Sequence, residues 1–406
     1  MEKRFPVVAD RAEGCHVWDT DGNRYIDYTS CSGAAPLGVG HPAVLDAAIA
    51  ALRTGGIVPA TLSQARIETA EQLLPLFPFA DRARFFRTGS CATTAAARIC
   101  RVQTGRRLLL TSGFHGWHDW HLQSAFGGLP DRDPETIDFG YDLQRLADLL
   151  ADRWNDVAAV FVTPEVNFFP HAYHVELAQV VRGHGCLLVL DEVMTGFRYR
   201  LGGYAVAAGL QPDLITLSKG LANGMALSAV IGRAEVFEGA EPAYLGYTYQ
   251  REVTPFAAAT ASLRAFRTED PIGRMHDAGR ALISGLNDLF TRMSVPAIAF
   301  SWPSMFRVLF RDNGIGESFY AGLLRRGVLM EYGGVHMISA ATSTEDIALT
   351  LAAAEDSLIE VLRTARPTLG GTDLTDADAH MLAVRAFGAT SETAAKWWPG
   401  YTPQGE

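Results

Sequence analysis

Two rhythms of apolar and polar positions run along this chain. Between about residues 60 and 265, short runs that are apolar at almost every position are separated by stretches with a helical apolar repeat. The runs predict strands at Ala83–Arg87, Arg107–Thr111, Ala158–Thr163, Leu187–Leu190, Leu214–Leu217 and Ser228–Ile231. The stretches between most of them predict helices near 63–76, 91–103, 142–153 and 174–184. Strands without a polar face are buried on both sides, so the alternation predicts an α/β architecture: a mostly parallel sheet covered by helices. Only eight residues separate Lys219 from Ser228, too few for a helical crossover, so the last strand is expected to run antiparallel.

The flanking segments follow the second rhythm. Trp18–Tyr28 reads as a hairpin around Asp21-Gly22, and a Gly/Pro-rich connection at 32–42 leads into a helix over Pro42–Arg53. Beyond residue 270 the pattern predicts a helix (270–293), short strands near 306–310, 328–330 and 336–339, and a helix at 344–363. This smaller α+β unit is expected to pair with the N-terminal hairpin, because chain termini often lie close together. The expected division is therefore a small domain built from 1–55 and 276–365, a large domain at 56–275, and an extension at 366–406 carrying one helix near 374–387.

Composition narrows the class. Hydrophobic residues are 48% and charged residues 20% of 406, an ordinary globular balance. A net charge of −10 argues against a nucleic-acid partner. The absence of a long uninterrupted apolar run argues against a membrane span. The first six residues have no apolar run behind their charges, so no secretory leader is expected. Five cysteines without a C-x-x-C pair read as reduced thiols of a cytoplasmic protein, and no metal site is expected.

One count changes the picture more than the rest. Of 35 basic residues only Lys3, Lys219 and Lys396 are lysines. Arginine meets the need for surface charge here, so a lysine in the middle of the chain points to a task that needs a deprotonated amine. Lys219 follows the strand Leu214–Leu217, and Asp191 follows Leu187–Leu190, 28 residues earlier, about one strand–helix–strand unit. Ligands of open α/β sheets bind at these carboxyl ends. Thr88-Gly89-Ser90-Cys91, between a strand and a helix, offers open amides for a phosphate, without the Gly-Lys-Ser/Thr ending of a P-loop. Phe114-His115-Gly116 follows another strand and can bring a ring to the same edge. Singly, each has an ordinary reading: a surface lysine, two helix caps, a core phenylalanine, a structural histidine. Together, in this order, lysine, acid, phosphate cradle and aromatic plate match the needs of pyridoxal phosphate: an amine for a Schiff base, a carboxylate for the pyridinium and a stacking ring. A nicotinamide dehydrogenase is disfavoured, because no G-x-G-x-x-G follows an early strand.

From about residue 15 to 365 the chain resembles the class III aminotransferases, fold type I pyridoxal-phosphate enzymes. The segments Asp191-Glu192-Val193-Met194-Thr195-Gly196-Phe197-Arg198, Pro212-Asp213-Leu214 and Ser218-Lys219-Gly220-Leu221-Ala222-Asn223-Gly224-Met225 carry the likeness. It is greatest to glutamate-1-semialdehyde aminomutase and to aminotransferases of sugar and secondary-metabolite pathways. The resemblance implies a large domain with a seven-stranded sheet and a smaller domain from both termini. It implies that Lys219 carries the cofactor and shuttles a proton, that Asp191 pairs with the pyridine nitrogen, and that Val193 and Phe114 pack on the ring beside His115. Gly89, Ser90 and the Cys91 amide would hold the phosphate, and Thr248 of a neighbouring subunit would complete that site in an obligate homodimer with shared active sites. Departures fall on the substrate side: Cys91 and Thr163 stand where the family has acidic residues, and the stretch 249–255 is longer than usual. The resemblance thus implies transfer of an amino group from an amine or amino-acid donor to a carbonyl of a polyfunctional acceptor, such as a sugar or aminocyclitol. An intramolecular aminomutase or epimerase is the alternative within the family. A cofactor-binding relic without catalysis is a third reading, opposed by retention of both Lys219 and Asp191. Arg87, Arg198 and Arg251 read as structural, so no arginine is assigned to a substrate carboxylate.

Overall fold

A computed structural model of the protein describes residues 7–121, 133–246 and 248–364. Its centre is a seven-stranded sheet in the spatial order Arg82–Phe86, Ser228–Gly232, Leu214–Leu217, Leu187–Asp191, Val157–Val162, Leu108–Ser112, Thr136–Asp138. The five strands from Leu214–Leu217 to Thr136–Asp138 pair in parallel. Ser228–Gly232 runs antiparallel to both its neighbours, as the short connection from Lys219 requires. The central strands are buried at almost every residue, because helices cover both faces. The edge strand Thr136–Asp138 has only three residues and escapes the apolar-run pattern.

Helix Gly89–Thr104 begins two residues earlier than its sequence pattern suggests. Thr88 caps it, and Gly105 ends it at φ 66°, a left-handed position that a side chain would strain. Further helices span Leu143–Arg153 and His171–Gly183 between the parallel strands. The Ala-rich helix Thr254–Thr268 packs on Pro42–Arg53 and on the turn after Lys219.

A second apolar core lies around the long helices Pro271–Arg292, Asn313–Arg325 and Thr344–Thr364. It is closed by a three-stranded sheet (Ala297–Trp302, Met305–Phe310, His336–Met337) and a four-stranded one. In the latter, the N-terminal strands Ala9–Glu13, His16–Asp19 and Arg24–Asp27 are joined by Val328–Leu329, which pairs in parallel with Arg24–Asp27. The N-terminal hairpin and the later α+β segment therefore share one sheet, as expected from their patterns. The helix expected at 374–387 lies outside the described residues.

Candidate active site

A cavity of about 220 Å³ opens where the loops after Ser112, Val162, Asp191 and Leu217 meet the start of helix Gly89–Thr104. Gly89, Ser90, Phe114, His115, Asp191, Val193 and Lys219 all line it. These residues come from four separate strand ends, which a parallel sheet collects on one edge.

Asp191 is held from three directions. Thr216, its register partner on the adjacent strand, donates its hydroxyl to Oδ1 at 2.8 Å. The Val193 amide donates to the same oxygen at 3.1 Å, and His115 Nδ1 lies 3.0 Å from Oδ2. His115 is itself fixed: its amide donates to His121 Nε2 at 2.7 Å and its carbonyl accepts from Thr93 Oγ1 at 2.6 Å. Burial and the neighbouring His115 push His121 down to about 3, which keeps its acceptor nitrogen bare. The far nitrogen of His115, Nε2, is buried without a partner among the described residues.

Lys219 opens a tight turn, Lys219–Ala222, at φ 36°, outside the region open to most side chains. Asn223 ends the turn, and its side chain locks onto Leu37 N–H (2.9 Å) and Gly38 C=O (2.8 Å). The lysine makes no hydrogen bond or ion pair among the described residues. Burial lowers its ammonium to about 8; Arg198 adds to the fall and Asp191 opposes it.

At the helix end, Thr88 Oγ1 accepts from the Cys91 amide at 3.2 Å, and Ala92 N–H bonds the Thr88 carbonyl. The amides of Gly89 and Ser90 have no acceptor among the described residues, and no acid stands in the first turn. The Cys91 amide, expected in the cradle, donates here to the Thr88 cap, and Cys91 does not line the cavity. Gly89 is constrained sterically, since a Cβ there would fall 3.0 Å from Val193 Cγ1. Phe114 stands half-exposed on the rim, edge-on to His121. Thr248 begins the exposed turn Thr248–Arg251 and lies outside its own chain's cavity.

Several lining residues carry no sequence signal of their own. Thr93 and Gly116 belong to this group, and Thr216, which holds Asp191 from outside the lining, was visible only as a polar residue inside an apolar strand. Thr163 and Glu165 both line the cavity. The Thr163 hydroxyl donates to the Phe114 carbonyl at 3.0 Å and so ties the rim loop to the sheet. Burial pushes the Glu165 carboxyl up, and Arg307 partly offsets it.

An amine without a partner, an oriented carboxylate and two open helix amides in one cavity are the donor set that a phosphorylated pyridine aldehyde needs. Residues 1–345 match the family described as aminotransferase class III. Among curated proteins, the chain is 41% identical over 336 residues to a 2'-deamino-2'-hydroxyneamine transaminase of Streptomyces kanamyceticus, covering 81% of this chain and 85% of that protein. It is 31% identical over 394 residues to a glutamate-1-semialdehyde 2,1-aminomutase of Thermus thermophilus, covering 87% and 91%. Among solved structures, the pyridoxal-phosphate internal aldimine form of the Sphingopyxis sp. MTA144 FumI protein superposes with a TM-score of 0.81 at 29% identity, covering 88% and 89%. Fold and site thus define a fold type I, pyridoxal-phosphate-dependent transaminase. The chain belongs to the class III aminotransferases.

Proposed function

We propose that this transaminase exchanges an amino group with a carbonyl carbon of an amino-sugar or aminocyclitol substrate, using an amine or amino acid as donor. Lys219 would hold the cofactor covalently and Asp191 would keep its pyridine nitrogen protonated. Gly89, Ser90 and the helix end would hold the phosphate, and Val193 and Phe114 would pack on the ring. When bound, pyridoxal phosphate supplies an electron sink that stabilises negative charge at the substrate carbon. The chain's own part is to orient and to move a proton. Lys219 Nζ would be the group that accepts a proton from the substrate carbon and gives it back. An amine depressed to about 8 is suited to both transfers near neutral pH.

The observation that carries this reading is the convergence of Lys219 and Asp191 on one cavity beside the two open amides. The substrate class is supported by the 41% identity to the 2'-deamino-2'-hydroxyneamine transaminase. We further propose a cytoplasmic homodimer in which Thr248 serves the neighbouring site; the five free thiols are in keeping with a reducing compartment.

The aminomutases among the relatives support a second reading, intramolecular transfer on glutamate-1-semialdehyde. The deciding experiment is a rapid-mixing absorbance scan of the holoenzyme against amino sugars, amino acids and glutamate-1-semialdehyde. Conversion of the cofactor to its amine form by amino sugars is expected. Turnover of glutamate-1-semialdehyde without an added donor would replace the proposal with the second reading.

A further inference from the structure

Arg198 is the largest side chain buried at the 1% level, and no carboxylate lies within ion-pair distance of it among the described residues. Its guanidinium is satisfied by backbone and hydroxyl groups from two segments far apart in sequence, Ser30–Gly33 and Ile338. Nε donates to the Gly33 carbonyl at 3.3 Å, and Nη2 donates to the same carbonyl at 3.1 Å and to Ser30 Oγ at 2.9 Å. Nη1 donates to the Ile338 carbonyl at 2.7 Å. Burying a guanidinium among neutral acceptors is unfavourable by itself, so the arrangement needs a compensating use.

The segment it holds is strained. Ser30, Cys31 and Ser32 have φ of 47°, 53° and 56°, three successive non-glycine residues in the left-handed region, followed by Gly33 at 85°. Gly33 abuts the reactive lysine: a Cβ there would stand 3.5 Å from Lys219 Cδ and 2.8 Å from Met337 Sδ. The left-handed turn is thus a wall beside the lysine stem, and Arg198 is its fastening.

We propose that Arg198 is a positioning residue for Lys219, clamping the Ser30–Gly33 turn against the lysine side chain and setting a fixed positive charge beside the amine. The charged and titratable groups around the pair are few. Asp191 and Arg198 act directly on Lys219, Glu165 and His115 line the same cavity, and His276 Nε2 lies 3.0 Å from the Arg198 carbonyl. Asp27 and Cys31 act on Arg198. Burial lowers Arg198 only to about 9, so it stays charged at neutral pH and disfavours a second positive charge on Lys219. The clamp therefore favours the free-base amine while the turn limits the stem's freedom.

The inference rests on Lys219 as the cofactor's attachment point, and the test separates the two claims. In the holoenzyme, cofactor absorbance is followed from pH 5 to 10 to read protonation at the lysine–cofactor linkage. The Lys219→Ala protein must lose the titrating band; if it keeps the band, the attachment assignment fails. With that band present in the wild type, Arg198→Met is expected to raise its pH midpoint by about one unit, roughly a tenfold change in proton affinity. Arg198→Lys, which keeps the charge but not the fork, is expected to return the midpoint towards wild type. A midpoint equal to wild type in folded Arg198→Met, or equal for the Met and Lys variants, overturns the clamp. Ser30→Ala keeps the test alive where Arg198→Met does not fold. It removes one acceptor, and a rise of a few tenths of a unit is expected. A midpoint identical to wild type in that variant also overturns the proposal.

Discussion

Two clusters of ionisable side chains sit at opposite functional extremes of this molecule. At the sheet edge, Lys219, Asp191 and His115 face a cavity. Where the N-terminal hairpin meets the helix Thr344–Thr364, Cys15, His16 and Asp346 bring their ligand atoms within 4.8 Å of one another, a set of residue types that can hold a metal ion. The difference lies in what is left unmet. Asp346 Oδ2 accepts from the Ser343 amide (2.9 Å), the Ser343 hydroxyl (2.6 Å) and the Cys15 thiol (3.4 Å), while Oδ1 meets His16 Nε2 at 2.8 Å. Ser343 Oγ accepts in return from the Asp346 amide, giving a reciprocal cap on helix Thr344–Thr364. Burial and then Asp346 push the Cys15 thiol up to about 12, so it donates a hydrogen bond rather than offering a thiolate. This network fastens the N-terminal hairpin to the C-terminal helix. At the cavity, by contrast, the Lys219 amine, the Gly89 and Ser90 amides and His115 Nε2 have no partners among the described residues. Residue type alone would rank both clusters as candidate sites; unmet hydrogen-bonding capacity beside a cavity separates them.

The comparison breaks or sharpens under mutation. Lys219→Ala is expected to lower amino transfer by about 10⁴-fold or more, measured as cofactor conversion by an amine donor, with the fold retained. Asp191→Asn keeps the shape but loses the fixed charge, and a fall of roughly 10²–10³-fold in the same assay is expected. Asp346→Ala should act on stability instead: a loss of about 1–3 kcal/mol in denaturant unfolding, with the amine half-reaction rate unchanged. An activity loss in that variant without loss of stability would undo the assignment of a fastening role.

The smallest effect expected is on the acid limb of stability. Burial raises the Asp346 carboxyl, but the Ser343 hydroxyl and amide and His16 outweigh it and leave the group below its ordinary 3.8. A carboxyl depressed in the folded state contributes stability above its unfolded value and loses it as pH falls through the folded one. Melting temperatures of wild type and Asp346→Ala should therefore converge as pH falls below 3.8. Parallel curves would show that the carboxylate charge is not what holds the two segments together.

Much of the sheet was legible because buried parallel strands are apolar at every position, and that pattern is local. Helix Asn313–Arg325 was not legible, because Gly314, Gly316 and Gly322 resemble breaks. The structure shows why glycine sits inside this helix: a Cβ at Gly316 would fall 2.6 Å from Tyr332, and one at Gly322 would fall 2.8 Å from Ser357. Strand Ala297–Trp302 is half-buried, with partly exposed Ile298, Ser301 and Trp302, and it has no uniform apolar run. In the site, Asp191 and Lys219 were legible because each ends a recognisable strand. The cap that Thr88 offers to the Cys91 amide was not legible, because a threonine before a helix carries no mark of which amide it takes.

By itself, the order of residues determined that an acid and a lysine stand at the carboxyl ends of two neighbouring buried strands, since strand direction and connection length are set locally. Only the tertiary structure decided which polar groups find partners. Arg198 reaches Ser30 across 168 positions of chain and His115 meets Asp191 across 76. Apolar periodicity records which face of an element is buried, but a hydrogen bond between distant segments depends on how those elements come together in space.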